Sequence, residues 1–130
     1  MLHLALVFDR LAQGSKAERA LGQAVFDRFC QDMDDHLREQ GVSDLKVPKD
    51  MRRLAEAFFG RLRAYIPALT AADAELLRTA LRRNVFAEEN PPGLDWLTAY
   101  VRCAWEALAR QDRTAIAQGR IAWPSLTAPI

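Results

Sequence analysis

The sequence predicts an all-α fold, a compact single-domain helical bundle of about five helices plus a short C-terminal turn. Apolar residues recur at helical spacing along nearly the whole chain, and no segment alternates apolar and polar residues as a half-buried strand does. No internal repeat or long linker divides the 130 residues, a usual length for one domain. We therefore expect one all-α domain over residues 1–130.

Composition restricts the functional class. Half of the residues are apolar and 27% are charged, as in globular proteins, and the formal net charge of +1 supplies no bulk attraction to nucleic acid or acidic lipid. Cys30 and Cys103 match no metal or redox spacing, so we expect reduced cysteines. The N-terminus lacks a basic region before its apolar residues, and no stretch reaches membrane-spanning length. A cytoplasmic location is expected.

The first helix, residues 1–13, carries apolar residues over most of its circumference. Such a helix is expected to be central in its domain, so a domain that begins with it either has lost a preceding element or covers the helix with a partner or a second copy of the chain. The second helix, residues 16–40, has Gly41 at the position of a C-terminal glycine. Its apolar stripe recurs every four residues: Leu21, Val25, Phe29, Met33 and Leu37.

Prolines and capping residues set the predicted limits of the next two helices. Pro48 is expected to open the third helix and Pro67 to end it. Thr70 with Asp73 resembles a capping box for the fourth helix, which runs to about Val85. The stripe of the third helix is Met51, Leu54, Ala55, Phe58, Leu62 and Tyr65.

The remaining chain predicts a loop, a long helix and a short turn. The loop is the Asn-Pro-Pro-Gly run at residues 90–93, and the helix covers about residues 95–110. Asp112 is expected to cap a last short turn that stops at Gly119. Beyond Pro124 we expect an irregular tail.

The residue inventory does not favour catalysis or metal binding. The chain has two histidines, no serine with a neighbouring acid–histidine pattern and no phosphate-binding glycine loop. Asp32 and His36 are one helical turn apart and could share a cation, but two such residues on one exposed helix are more often only solvated. We expect no catalytic residue, no metal site and no cofactor.

Charge is distributed unevenly along the chain. Residues 27–44 carry a local charge of about −4, and residues 46–63 carry about +4. One interpretation is two adjacent helices whose polar faces attract each other weakly. The other is a binding strip on the third helix, where Lys49, Arg52, Arg53 and Arg63 face away from the apolar stripe.

Other features of that helix fit the strip. Gly60, a mid-helix glycine on or near the same side, is typical of a place where another group approaches closely. Phe59 either widens the core or is exposed at an interface. A second basic cluster is predicted from Arg78, Arg82 and Arg83 in the fourth helix.

Residues 42–65, VSDLKVPKDMRRLAEAFFGRLRAY, resemble the signature of the ubiquinol–cytochrome c chaperone family, which comprises assembly factors for cytochrome b of respiratory complex III. Residues 32–41 match the family's preceding acidic helix, and residues 81–86 match a later element. Leu2-His3 is similar to a family pair at the start of a core helix. The resemblance covers most of the chain, and longer members imply that N-terminal helices are lacking here. Phe59 stands where the family commonly has tyrosine.

The resemblance implies an α-helical, non-catalytic chaperone that binds cytochrome b or its nascent chain, acting with a small assembly partner protein near the ribosome. We expect a bacterial-type member, cytoplasmic and peripheral to the inner membrane, with no specific DNA binding. The implied partner-binding residues are Lys46, Lys49, Arg52, Arg53, Phe58, Phe59, Gly60, Arg61 and Tyr65. The alternatives are an RNA/ribosome- or membrane-surface-binding adaptor using the basic helix, an enzyme with a deep pocket, and a homodimer through the first helix.

Overall fold

The computed structural model describes residues 1–86, 88–125 and 127, and within them the chain forms helices and no strand. The six helices are α1 (Leu2–Ala12), α2 (Lys16–Glu39), α3 (Val47–Thr70), α4 (Ala74–Val85), α5 (Leu94–Arg110) and α6 (Arg113–Ala117). The predicted all-α class is confirmed. Residues 124, 125 and 127 continue the chain without helix, and the rest of the predicted irregular tail lies outside the described residues.

The chain divides into two compact units, Met1–Gly60 and Arg61–Ile130, whose boundary falls inside α3. The first unit contains α1, α2 and the N-terminal half of α3. The second contains the rest of α3 and α4 to α6. The single domain over residues 1–130 stays a prediction.

In the first unit, α1 packs against α2. Ser15 caps α2 because its side chain accepts a hydrogen bond from the backbone N–H of Glu18, at 3.1 Å. α1 is less enclosed than its composition predicts, since Leu4, Val7 and Phe8 are only half-buried. The buried apolar residues of this unit are Ala5, Leu6, Leu11, Phe26, Val47 and Phe58.

The expectation that α3 ends at Pro67 is wrong. The helix continues to Thr70, and the Pro67 carbonyl accepts a hydrogen bond from the backbone N–H of Ala71. Proline lacks the N–H for one helical hydrogen bond and its ring crowds the carbonyl four residues earlier, but the residues after it can still form helix, and the buried Ala68 and Leu69 hold the last turn against the core.

In the second unit, α4 packs against α5. The residue that caps α4 is Asp73 and not the predicted Thr70, which lies inside α3. The Asp73 carboxylate accepts a hydrogen bond from the backbone N–H of Leu76, at 2.9 Å. Asp112 caps α6, as predicted. The buried apolar residues of this unit are Tyr65, Ala68, Leu69, Leu77, Leu81, Leu94, Tyr100, Val101, Ala104, Leu108 and Ile116.

Candidate functional site

Of the residues predicted to form the basic strip, Lys49, Arg52 and Arg53 lie exposed at the N-terminal end of α3, in the first unit. Arg63 is also exposed but belongs to the second unit. Lys46 forms an ion pair with Asp50, with 3.2 Å between Nζ and Oδ2. Lys49, Arg52 and Arg53 form no ion pair with another described residue. These three side chains, called the basic face below, therefore keep their charge available to a partner.

The unit that carries the basic face also contains a cluster of four phenylalanine rings, Phe8, Phe26, Phe58 and Phe59. Phe58 is fully buried and stacks on Phe26, with ring centroids 4.5 Å apart. Phe59 is half-buried and packs on Phe26 at 5.2 Å, on Phe58 at 5.3 Å and on Phe8 at 6.1 Å. Phe59 thus widens the core, as one of the two interpretations predicts, while the residue stays partly exposed.

Phe59 and the basic face lie on the same side of α3. Phe59 follows Arg52 by seven residues, about two helical turns, so the two side chains project in nearly the same direction. The exposed cations and the partly exposed Phe59 form a surface that could contact an apolar segment flanked by acidic groups. Phe58 has no exposed surface and supports this arrangement from beneath.

The structure leaves open space at Gly60. A Cβ atom built on this residue would have no described atom within 4 Å, so no neighbour in the chain requires a glycine here. The missing side chain leaves the backbone of α3 accessible next to Phe59. No described residue thus supplies the close approach predicted at Gly60, and a partner has room to supply it.

The predicted residues Arg61 and Tyr65 belong to the second unit. Arg61 is half-buried and donates a hydrogen bond to the backbone carbonyl of Asn84, at 3.2 Å. Tyr65 is only 1% exposed, and its hydroxyl makes no hydrogen bond to a described residue. Burial raises the pKa of Tyr65, and the Arg61 cation opposes that rise. Tyr65 therefore offers no surface to a partner.

The predicted second basic cluster is partly neutralised. Arg78 pairs with Asp95, with 2.8 Å between Nε and Oδ1, and this hydrogen bond raises the pKa of Arg78. Arg82 is half-buried and Arg83 is exposed, both in the last turn of α4. The first turns of α4 and α5 also border a shallow cleft of about 190 Å³, which sequence patterns did not reveal. It is lined by Ala74, Glu75, Leu77, Arg78, Asp95, Thr98, Ala99 and Arg102.

The described residues contain no group of three or more His, Cys, Asp or Glu side chains that could hold a metal ion. Asp32 pairs with Arg28 at 3.1 Å. Across residues 1–86, 88–125 and 127, no helix has the length and hydropathy needed to cross a bilayer.

Residues 1–123 match the family model described as ubiquinol-cytochrome C chaperone. The chain belongs to this family. The match includes all six helices, so the basic face and the aromatic cluster lie within the family's characteristic sequence.

A solved structure agrees with this assignment to the ubiquinol–cytochrome c chaperones. The chain is similar to the crystal structure of the Cbp3 homolog from Brucella abortus, with 39% sequence identity and a TM-score of 0.84. The similarity covers 95% of this chain and 69% of that one. The comparison with curated proteins gives no match.

Sequence patterns missed one exposed residue beside the basic face. Leu45 is 93% exposed and precedes α3, whereas Val47, two residues later, is fully buried. The sequence does indicate that Leu45 is exposed, because this residue falls outside the helical periodicity of the apolar stripe that contains Met51 and Phe58.

Proposed function

We propose that this chain is a non-catalytic assembly chaperone that binds cytochrome b, or its nascent chain, during biogenesis of the ubiquinol–cytochrome c reductase complex. The observation that carries the proposal is the family match over residues 1–123. The similarity to the Cbp3 homolog supports it. We place the protein in the cytoplasm at the inner membrane, where an apolar client must be held before insertion.

The surface of α3 suggests how the client is bound. The partly exposed Phe59 provides an apolar contact for a client helix, and the open space at Gly60 lets that helix approach closely. Arg52 and Arg53 provide charges for acidic or carbonyl groups at the end of that helix. Such a surface binds without covalent chemistry, in line with the absence of a nucleophile–base pair from the sequence patterns.

Site-specific crosslinking in the native host tests this proposal. A photoreactive phenylalanine analogue replaces Phe59, and the matched control carries it at Leu76, a half-exposed residue of α4. We expect cytochrome b adducts from position 59 and none from position 76. Equal adducts from both positions, or RNA and ribosomal adducts without cytochrome b, would refute the proposed client surface.

A second experiment measures complex assembly in a strain that lacks the protein. The double variant Arg52→Glu/Arg53→Glu is expected to lower the amount of assembled cytochrome b without unfolding the protein. The control, Arg110→Glu/Arg120→Glu, alters two exposed arginines outside α3 and is expected to restore assembly fully. Full restoration by the Arg52/Arg53 variant would remove these residues from the site.

A further inference from the structure

We propose that the N-terminal turn of α3 docks on an anionic lipid bilayer, with Leu45 inserted among the acyl chains and Lys49, Arg52 and Arg53 against the lipid phosphates. This rests on the proposed location at the inner membrane and deepens it by naming the part of α3 that meets the bilayer. Leu45 and Lys49 belong to this surface alone, whereas Arg52 and Arg53 are shared with the proposed client surface. The observations that carry it are the exposure of Leu45 and the unpaired charges around it.

Leu45 is almost fully exposed, and the backbone around it is held in place by hydrogen bonds. At 93% it is far more exposed than the other exposed large apolar residues of the described chain, which reach 50% at most. The Ser43 carbonyl accepts hydrogen bonds from the N–H groups of Lys46 and Val47, so a helical turn already holds Leu45 ahead of α3. Leu45 therefore projects in a fixed direction, opposite to the buried Val47.

The basic face surrounds the same direction. At about 100° per residue, Lys49 lies about 40° and Arg52 about 20° from Leu45 around the helix axis. Arg53 lies about 80° away on the side of Lys49. An apolar side chain flanked by cations is typical of peripheral membrane proteins, because a single apolar anchor binds a bilayer weakly and needs electrostatic attraction to anionic lipids.

The nearby acidic residues do not cancel this charge. Asp50 pairs with Lys46, whereas Asp44 shares Arg38 with Asp34, so that group of three keeps one negative charge. Glu56, one turn beyond Arg52, is exposed and pairs with no described cation, so two negative charges stand against the three cations of the basic face. The N-terminal end of the surface thus keeps a net positive charge.

A lipid bilayer fits this surface better than RNA or a second copy of the chain. Single-stranded RNA stacks on exposed aromatic rings, whereas the exposed apolar residue at this end of α3 is the aliphatic Leu45, and Phe59 is half-buried two turns beyond Arg52. A symmetric dimer through Leu45 would bring two sets of Lys49, Arg52 and Arg53 together, and like charges facing each other oppose association.

Vesicle co-sedimentation of the full chain, without cytochrome b, tests the proposal independently of the client. The probes are phosphatidylcholine vesicles with and without 30% phosphatidylglycerol. We expect the protein to bind the anionic vesicles, and we expect this binding to weaken as the salt concentration rises. Leu45→Ser should weaken partitioning about tenfold or more. Lys49→Gln/Arg52→Gln/Arg53→Gln should weaken it about a hundredfold, at about fivefold for each charge removed.

Two control variants keep the result specific. Leu76→Ser removes a half-exposed leucine of α4, and Arg120→Gln removes an exposed arginine of the second unit; neither should change partitioning. Absence of binding to anionic vesicles, equal binding by wild type and Leu45→Ser, or RNA binding that equals or exceeds vesicle binding would overturn the proposal. A loss of thermal stability in Leu45→Ser beyond that of Leu76→Ser would also overturn it, because Leu45 would then be a core residue.

Discussion

Adding the same methyl group at two glycines is expected to change stability in opposite directions. Gly60 lies in the interior of α3, and Gly41 follows α2 with a φ of +83°. A Cβ atom at either position would have no described atom within 4 Å. The two substitutions, Gly60→Ala and Gly41→Ala, therefore differ in backbone conformation and not in crowding.

The magnitudes follow from that conformation. Gly60→Ala should raise the free energy of unfolding by up to about 1 kcal/mol, because alanine has the higher helix propensity and loses less backbone entropy on folding. Gly41→Ala should lower it by about 1 kcal/mol, since a left-handed conformation is unfavourable for a residue with a Cβ atom. For a chain of this length, 1 kcal/mol corresponds to roughly 3–5 °C in Tm.

Urea unfolding monitored by circular dichroism provides the measurement, with the slope against urea checked for each variant. A loss of stability in Gly60→Ala would refute the reasoning, because it would show a contact at a place that the structure leaves open. If the open space at Gly60 also serves the approach of the client, Gly60→Ala will be more stable than wild type and will give fewer cytochrome b adducts from position 59.

Two further predictions concern the second unit. Asp73→Ala should lower the free energy of unfolding by about 1 kcal/mol through loss of the α4 cap, whereas Thr70→Ala should leave it nearly unchanged; the reverse order in urea unfolding would restore Thr70 as the cap. Tyr65→Phe should not lower stability at pH 7, because no hydrogen bond is lost, and a loss of about 1 kcal/mol would reveal a bond to Arg61. Because burial raises the pKa of Tyr65 above its ordinary 10.0, the buried hydroxyl stabilises the fold below that pH and loses this contribution as pH rises above it. Wild type should thus lose more stability than Tyr65→Phe between pH 8 and pH 11, and parallel losses would contradict this.

Local patterns determined most of the helices. The repeat of apolar residues at helical spacing depends only on neighbours within two or three turns, so α2 and α5 lie within one or two residues of their predicted limits. The short α6 and its Asp112 cap could also be predicted from local sequence, because a cap needs only the backbone N–H groups that follow it. The exposure of Lys49, Arg52 and Arg53 followed from their position opposite the apolar stripe.

Features that depend on distant contacts could not be predicted in this way. A proline was expected to end α3, but burial of Ala68 and Leu69 stabilises one further turn, which in turn moved the cap of α4 from Thr70 to Asp73. The apolar surface of α1 predicted a central helix, whereas the burial of each residue depends on the helices packed beside it.

The helical class, the order of the helices and the position of the basic residues thus follow from periodicity and local capping, which act between near neighbours in the chain. Which side chains remain accessible depends on packing between distant segments. Phe58 is buried while Phe59 is partly exposed, and Leu45 is exposed while Val47 is buried, since accessibility depends on the atoms that other parts of the chain place around each residue.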